Sequence, residues 1–588
     1  PAAEPRETPM GFGGTLNIGQ TGLNASQIAI QTAGNNIANA ATPGFSRQTV
    51  GLAPQAGQTA GGLTLGRGVG VTGITREVDE AVLTRLRASV SDEGRAQERA
   101  GVLGQLEQVL NELTEFDLST QLQTFFGAAS DAANLVTDGT GLVGQGEEIA
   151  GFVRGMRDDL TQLERQIDQS IADRVLQADS LLDEVAAING QISTAELNGG
   201  TANGLRDRRD QILQELSREL GVTPVENSEL GTVDVFIGST AVVLGSRSLG
   251  LELETEPAGD GTALNVRVRE NGTKVGVGSG AVGGLLATRE GEVEQTRQDL
   301  DTLATQLIFE VNKLHSTGTN TAGLSELTAN LGVQPADQTQ PINSTANQTF
   351  ENLPFEISNG GFLVRVTDKA NGTTNETRID LDLDGIDSGG AASTIDDTTL
   401  ADVVADLDAV AGISASFDSS GRVAVSADAG SSFSFGEDSS GLLAAIGLGG
   451  FFTGNDASDI EVAGDLRADP SSVRLGRVES DGTFNENGTA LAISDLSERA
   501  VDGLDGLTFE RRWSNTVQRA AVASGLGQTE ARGATAVRES LEAQRAAVSG
   551  VSVDEETIDL ISFQRQFQGA ARVISIADEL LDTLIAIV

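Results

Sequence analysis

The sequence predicts a multidomain α+β chain, and three observations carry that reading. Heptad-spaced apolar residues mark both ends, a long stripe near 3.6 residues per turn runs through the middle, and strand-like alternation fills much of residues 353–475. At 588 residues, 38% of them hydrophobic, the chain is long enough for several cores of ordinary domain size. Aromatics reach only 4%, with no Tyr and a single Trp, Trp513, which favours cores built from helix stripes and small side chains.

At the N-terminal end, Leu16, Leu23, Ile30 and Ile37 recur every seven positions, with Gly19, Ser26, Ala33 and Ala40 half a heptad on. This is a narrow seam that lets a second helix come close. At the other end, Leu560, Phe563, Phe567, Ala570, Ile574, Ala577, Leu581, Leu584 and Val588 alternate three and four apart without a miss. A stripe like this needs a cover, either the seam at the opposite end of the chain or a neighbouring copy. Residues 1–15 read as a disordered extension, with Met10-Gly11 as a natural start.

The middle is helical from about Val78 to Leu220. Phe152, Met156, Leu160, Leu163, Ile167, Ile171, Val175, Ala178, Leu182, Val185, Ile188 and Ile192 predict one long amphipathic helix. Asn198-Gly199-Gly200 ends it, and a second helix stops at Gly221. Strand-like runs follow over about 222–282, with a hairpin turn at Asn271-Gly272, and then a helix over 282–315. The Thr-, Asn- and Gln-rich stretch 316–350 reads as a linker, residues 353–475 as a separate β-rich domain with one helix, and the chain returns to helix from about Leu504. The resulting division is 16–48 with 550–588 as a terminal helical domain, 49–350 with 476–549 as a helix bundle containing a small β portion, and 353–475 as the β-rich domain.

The charge balance, 39 basic against 85 acidic residues for a net of −46, repels phosphate backbones and anionic lipid, so nucleic-acid and membrane partners are excluded. No cysteine is present, which removes disulfides, thiol chemistry and thiolate metal sites. His315 is the sole histidine and lies in a predicted helix. The Gly278-x-Gly280-x-x-Gly283 match lacks the second parallel strand that a dinucleotide site needs. Asp380, Asp382, Asp384 and Gly385 imitate a calcium loop, but its twelfth position is Ala391 rather than Glu. No nucleophile, base and orienting group converge, so no catalytic residue, cofactor or metal is expected and the chain reads as a non-enzyme.

The segment GNNIANAATPGFSRQ, Gly34–Gln48, closes the first helix and turns through Pro43-Gly44 onto Phe45. It resembles the N-terminal signature of the flagellar rod, hook and hook-associated proteins, with Asn35, Asn36, Asn39, Pro43, Gly44 and Phe45 as its marks. DLSTQLQTFFGAASDAANLV (Asp117–Val136), NGLRDRRDQILQELS (Asn203–Ser217), LLAAIGLGGFFTGNDASDIEV (Leu442–Val462), SGVSVDEE (Ser549–Glu556) and the end ADELLDTLIAIV are similar, in order, to the hook-associated members of that family. The resemblance implies a structural subunit of the hook–filament junction whose terminal helices pair as a coiled-coil inner layer, with a helix bundle around it and the β-rich domain outermost. It also implies export in an unfolded state through the flagellar type III apparatus and a secreted, extracellular location. Implied partners are further copies of the chain in a ring or helical assembly, the hook protein, a second junction protein (FlgL) and an export chaperone on the C-terminal helix. The alternatives are a hook or rod protein, disfavoured by the long helical block, and an extracellular adhesin with flagellar-like ends.

Overall fold

The first helix, α1 (Phe12–Asn39), starts inside the segment expected to be disordered, because adding a turn to an existing helix costs little. In this computed structural model, residues 12–60, 63–110, 117–135, 139–197, 199–227, 229–258 and 261–587 are described. Residues 1–11 of the expected extension, Val136, Asn198, Val588 and the side chain of Leu584 lie outside them. After α1 comes a hairpin of β1 (Gln48–Pro54) with β4 (Val69–Arg76), tipped by β2 (Gln58–Ala60) with β3 (Leu63–Leu65). These strands fall in a stretch read from sequence as part of the helix bundle.

The helical block then follows as α2 (Glu80–Leu110), α3 (Leu118–Leu135), α4 (Thr140–Glu196) and α5 (Asn203–Leu220). Asp79 and Asp117 cap α2 and α3, each carboxylate accepting from backbone N–H groups of the first turn. Along α4 the predicted stripe from Met156 to Ile192 is buried throughout, and Phe152 is half-buried. The Gly221 N–H donates to Ser217 O and closes α5.

Next, β5 (Val222–Asn227), β6 (Thr232–Ile237), β7 (Thr240–Leu244) and β8 (Arg247–Ser248) form a four-stranded antiparallel sheet. β9 (Leu251–Ala258) pairs with β10 (Gly261–Val268), and the chain turns back at Asn271-Gly272. α6 (Gly280–Thr288), one π turn (Arg289–Val293) and α7 (Glu294–Ser316) follow. The glycine-rich motif is therefore a turn into α6: a Cβ on Gly280 would stand 2.6 Å from Glu219 O.

The β-rich region is made of β11 (Glu326–Gly332), α8 (Gln348–Glu351), β12 (Gly360–Asp368), β13 (Thr374–Leu381), α9 (Leu400–Asp408), β14 (Ile413–Phe417), β15 (Arg422–Ala427) and β16 (Ser431–Gly436). They form sheets ordered β11-β15-β14 and β13-β12-β16. The stretch 316–350, expected to be a linker, instead supplies β11 and places Leu324, Ala329, Val333, Ile342 and Phe350 in this core. Its polar residues serve internally, since buried Asn347 donates to the carbonyls of Asp337, Gln340 and Pro341. Short elements α10 (Leu442–Ala445), β17 (Phe452–Thr453), β18 (Glu461–Val462), α11 (Gly464–Ala468), β19 (Arg477–Val478), β20 (Phe484–Asn485) and α12 (Gly488–Asp495) lead to α13 (Phe509–Ser549) and α14 (Val553–Ile587).

The chain divides into two compact units: residues 1–102, 167–288 and 526–588, and residues 103–166 with 289–525. In the second, the scarce aromatics gather. Phe125, Phe126, Phe451, Phe452 and Phe509 meet ring to ring, and His315 stands edge-on to Phe451 at 5.6 Å.

Candidate assembly site at the paired termini

Within the first unit α1 and α14 run antiparallel against each other: Gly19 faces Ile574, Gly22 faces Ala570, and Asn36 meets Glu556. The face α1 turns inward is not its row of large residues. Gly19, Ser26, Ala29, Ala33 and Asn36 are buried, whereas Leu16, Leu23, Ile30 and Ile37 flank that row half-buried. The reason is steric. A Cβ on Gly19 would lie 2.6 Å from Ile574 Cγ1, so the small row permits the close approach and α14 supplies the bulk.

On α14 the predicted stripe does mark the covered side. Leu560, Phe563, Phe567, Ala570, Ile574 and Leu581 are half-buried and Ala577 is buried. The same helix carries further apolar residues in the open: Ile558 is 67% exposed, Ile576 51%, Leu580 51% and Ile585 70%. The helix thus carries apolar side chains in the open beyond its covered stripe.

A polar hub fixes the far end of the pair. Asn36, 1% exposed, uses its whole amide: Nδ2 donates to Gln48 O at 2.8 Å and to Glu556 Oε2 at 3.0 Å, and Oδ1 accepts from Gln48 N at 3.0 Å. Arg47 donates from Nε to the other oxygen of Glu556 at 2.7 Å and reaches Asp559 at 3.3 Å. Burial works against the Arg47 charge, but the hydrogen bond and field of Glu556, aided by Glu555 and Asp559, outweigh it and raise its pKa. Buried, fully satisfied networks of this kind specify one arrangement more than they add net stability.

The turn between α1 and β1 is set by the signature residues. Asn39 donates back to Asn35 O and accepts from Thr42 Oγ1, Pro43 leads into Gly44 at φ +82°, and Phe45 is half-buried. A side chain at position 44 would be strained in that left-handed conformation. Ser46 N then donates to Asp207 on α5, and Arg76 bridges Asp207 at 2.9 Å and Asp210 at 2.8 Å. Arg87 is buried beside Asp210 and its pKa is lowered, first by burial. The Arg-Asp-Arg-Arg-Asp segment of α5 is therefore the anchor of the turn that follows α1.

Elsewhere His315 is fully buried, with Nδ1 at 3.0 Å from Gly449 O and Nε2 accepting from Arg474 N. Burial, then the Arg474 charge, holds it well below the ordinary histidine pKa.

Sequence reasoning marked the stripe of α14 and the signature turn, and on α1 it named the large residues that flank the buried row. It gave no role to Arg47, Asp207, Asp210, Arg76 or Glu556. A sequence-level signal was present: a carboxylate beside the covered row of a helix, at a position the repeat makes inward-facing.

Three family profiles match the chain. They are the flagellar hook-associated protein FlgK helical domain over residues 103–331, the flagellar basal body rod FlgEFG protein C-terminal over 543–587, and the flagella basal body rod protein over 16–45. Flagellar hook-associated protein 1 of Escherichia coli (strain K12) is 26% identical over 602 residues, covering 97% of this chain and 99% of that one. Flagellar hook-associated protein 1 of Salmonella typhimurium is 28% identical over 600 residues, with the same coverage. The solved flagellar hook junction protein FlgK from Burkholderia pseudomallei aligns at a TM-score of 0.48 and 16% identity, over 79% of this chain and all of that one. With near-complete matches to two relatives of one name, a hook-associated helical-domain profile in its middle and basal body rod profiles at its two ends, the chain is similar to the flagellar hook-associated proteins along nearly its whole length.

Proposed function

We propose that this chain is a structural subunit of the bacterial flagellum that forms the junction between hook and filament and is needed for filament attachment. It leaves the cell unfolded through the flagellar export apparatus, and α1 and α14 form a coiled-coil inner layer when copies assemble. Its partners are further copies of itself, the hook protein, the second junction protein FlgL and an export chaperone on α14. The domain division follows the same logic: 16–48 with 550–588 as the assembling part, 49–350 with 476–549 as the helix bundle less the stretch 316–350, and 353–475 together with that stretch as the β-rich domain.

The observation that carries this reading is the apolar surface that α14 leaves uncovered beside its stripe against α1. One stripe faces α1, while Ile558, Ile576, Leu580 and Ile585 are left to water. Covering an isoleucine or leucine completely contributes about 1.5–3 kcal/mol, so neighbouring helices that bury these residues add stability. No catalytic role is proposed, since the sole histidine is buried in a packed core and hydrogen-bonded on both ring nitrogens.

The test is electron microscopy of a strain lacking the chain, with the medium assayed for flagellin. Hooks without filaments, and flagellin lost to the medium, support the junction role. Absent hooks move the protein inward to hook or rod, and normal filaments remove the proposal.

A further inference from the structure

The β-rich region holds a cluster of acids that the assembly site does not use. Asp382 and Asp384 follow the end of β13, and Asp397 lies just ahead of α9. One oxygen from each stands within 4.8 Å of the others. They meet at the neck of a loop, where Asp382 N donates to Thr398 Oγ1 and Thr398 N donates to Asp382 O, both at 2.8 Å. Among the described residues, none of the three forms an ion pair, whereas Asp380 on the same strand is paired with Arg378 at 2.6 Å.

Three carboxylates held together without a cation repel one another, and one of them is also incompletely satisfied. Asp397 is only 3% exposed. Its Oδ2 accepts from Asn343 Nδ2 at 2.6 Å and from Gly385 N at 3.2 Å, but no donor reaches its buried Oδ1. The Oδ1 of Asn343, buried beside it, also lacks a donor. A carboxylate oxygen buried without a donor keeps the full penalty of leaving water, so its lone pairs call for a partner. Here the neighbouring groups are themselves acceptors, and a cation satisfies all of them at once.

We propose that Asp382, Asp384 and Asp397 bind a calcium ion, with Asn343 Oδ1 as the neutral oxygen available beside them. The donor set is all oxygen; the chain has no cysteine and its one histidine is elsewhere, so zinc is a poor match. Calcium takes oxygens at about 2.3–2.6 Å, so ligands across the ion stand up to about 5 Å apart, against roughly 4 Å for magnesium. Calcium also tolerates irregular geometry, whereas magnesium demands a near-ideal octahedron, so a site of loop-borne carboxylates suits the larger ion. The site is not an EF-hand. It joins the two ends of a loop rather than wrapping one continuous segment, and Asp380 and Asp387 stand outside it. With two of the three acids exposed, the affinity falls in the range of extracellular modules, a Kd of about 10⁻⁴–10⁻³ M.

The experiment is calorimetric titration of the full chain, stripped with EDTA, with calcium chloride at physiological ionic strength. A single saturable site in that range is expected, weakened about tenfold or more in D384N and in D397N, unchanged in D380N, and not displaced by equimolar magnesium. Calcium should also raise the melting temperature of the wild-type chain and of D380N but not of D384N. Because Asp384 is exposed, D384N tests the site even if D397N disturbs the loop. No saturable binding, or binding that D384N and D397N leave intact, overturns the proposal. Equal losses in D380N and D384N do the same, assigning the effect to the general acidity of the surface.

Discussion

The β-rich core and the C-terminal helix use similar residues to opposite ends. In the former, Phe362, Val364, Leu400, Phe433 and Phe435 are at most 1% exposed, each enclosed by the chain's own sheets. Along the described residues of α14 only Glu556 and Ala577 are buried, and isoleucines stand in water at half to two-thirds exposure. The first region spends its apolar surface on itself. The second leaves part of it uncovered, on a helix kept in position by one small-residue seam and one polar hub.

The broadest way to break this contrast is truncation. Removing residues 560–588 should leave a soluble chain with an unchanged melting transition for the β-rich region, yet abolish incorporation into the flagellum. Immunoelectron microscopy of a complemented strain and calorimetry of the purified truncation check the two halves.

A sharper version compares two phenylalanines. Phe362→Ala should cost about 3–5 kcal/mol by urea denaturation, the usual loss for a fully enclosed ring. Phe563→Ala, on half-buried α14, should cost the free chain clearly less while impairing assembly. Equal costs would mean that α14 is as much a core element as β12.

Next in size is the hub. Asn36→Ala leaves Glu556 and the Gln48 backbone short of partners, and an unsatisfied buried polar group costs about 1–3 kcal/mol. The loss should be local, read as faster hydrogen exchange at the start of α14 with exchange in β12 and β16 unchanged.

The smallest effect is in pH. His315 is held below its ordinary pKa, so below about 6.5 the unfolded chain takes up a proton that the folded one refuses. Stability from this group is full above that pH and falls as the pH drops, by up to about 1.4 kcal/mol per unit. The His315 share of the slope between pH 6.5 and 5 should be lost in His315→Asn, read as the difference between the two chains in urea titrations at several pH values.

Much of the fold was legible because periodicity survives where one element buries one face. The α4 stripe is an example: the repeat that predicts it is the repeat that is buried. The seam of α1 was read in rotation, because hydrophobic periodicity weights large residues, and here glycine and alanine mark the side of closest approach. Residues 316–350 were misread for another reason. Their Asn and Thr side chains bond inward to carbonyls, and composition alone cannot tell an internal hydrogen bond from solvation. The hub was hidden by distance, since nothing in one sequence couples Asn36 to a carboxylate at position 556.

That separation has a kinetic consequence. Pairings so remote in sequence are slow to form in an open chain, because loop closure must come first. Leu86, Val90 and Leu541 form a cluster that ties α2 to α13, and it shortens the problem. Once it forms, Asn36 and Glu556 search across a few dozen residues of slack instead of several hundred. The junction of the two ends is then a late event that reports on everything between them: a chain with a misfolded middle cannot bring its first helix to its last.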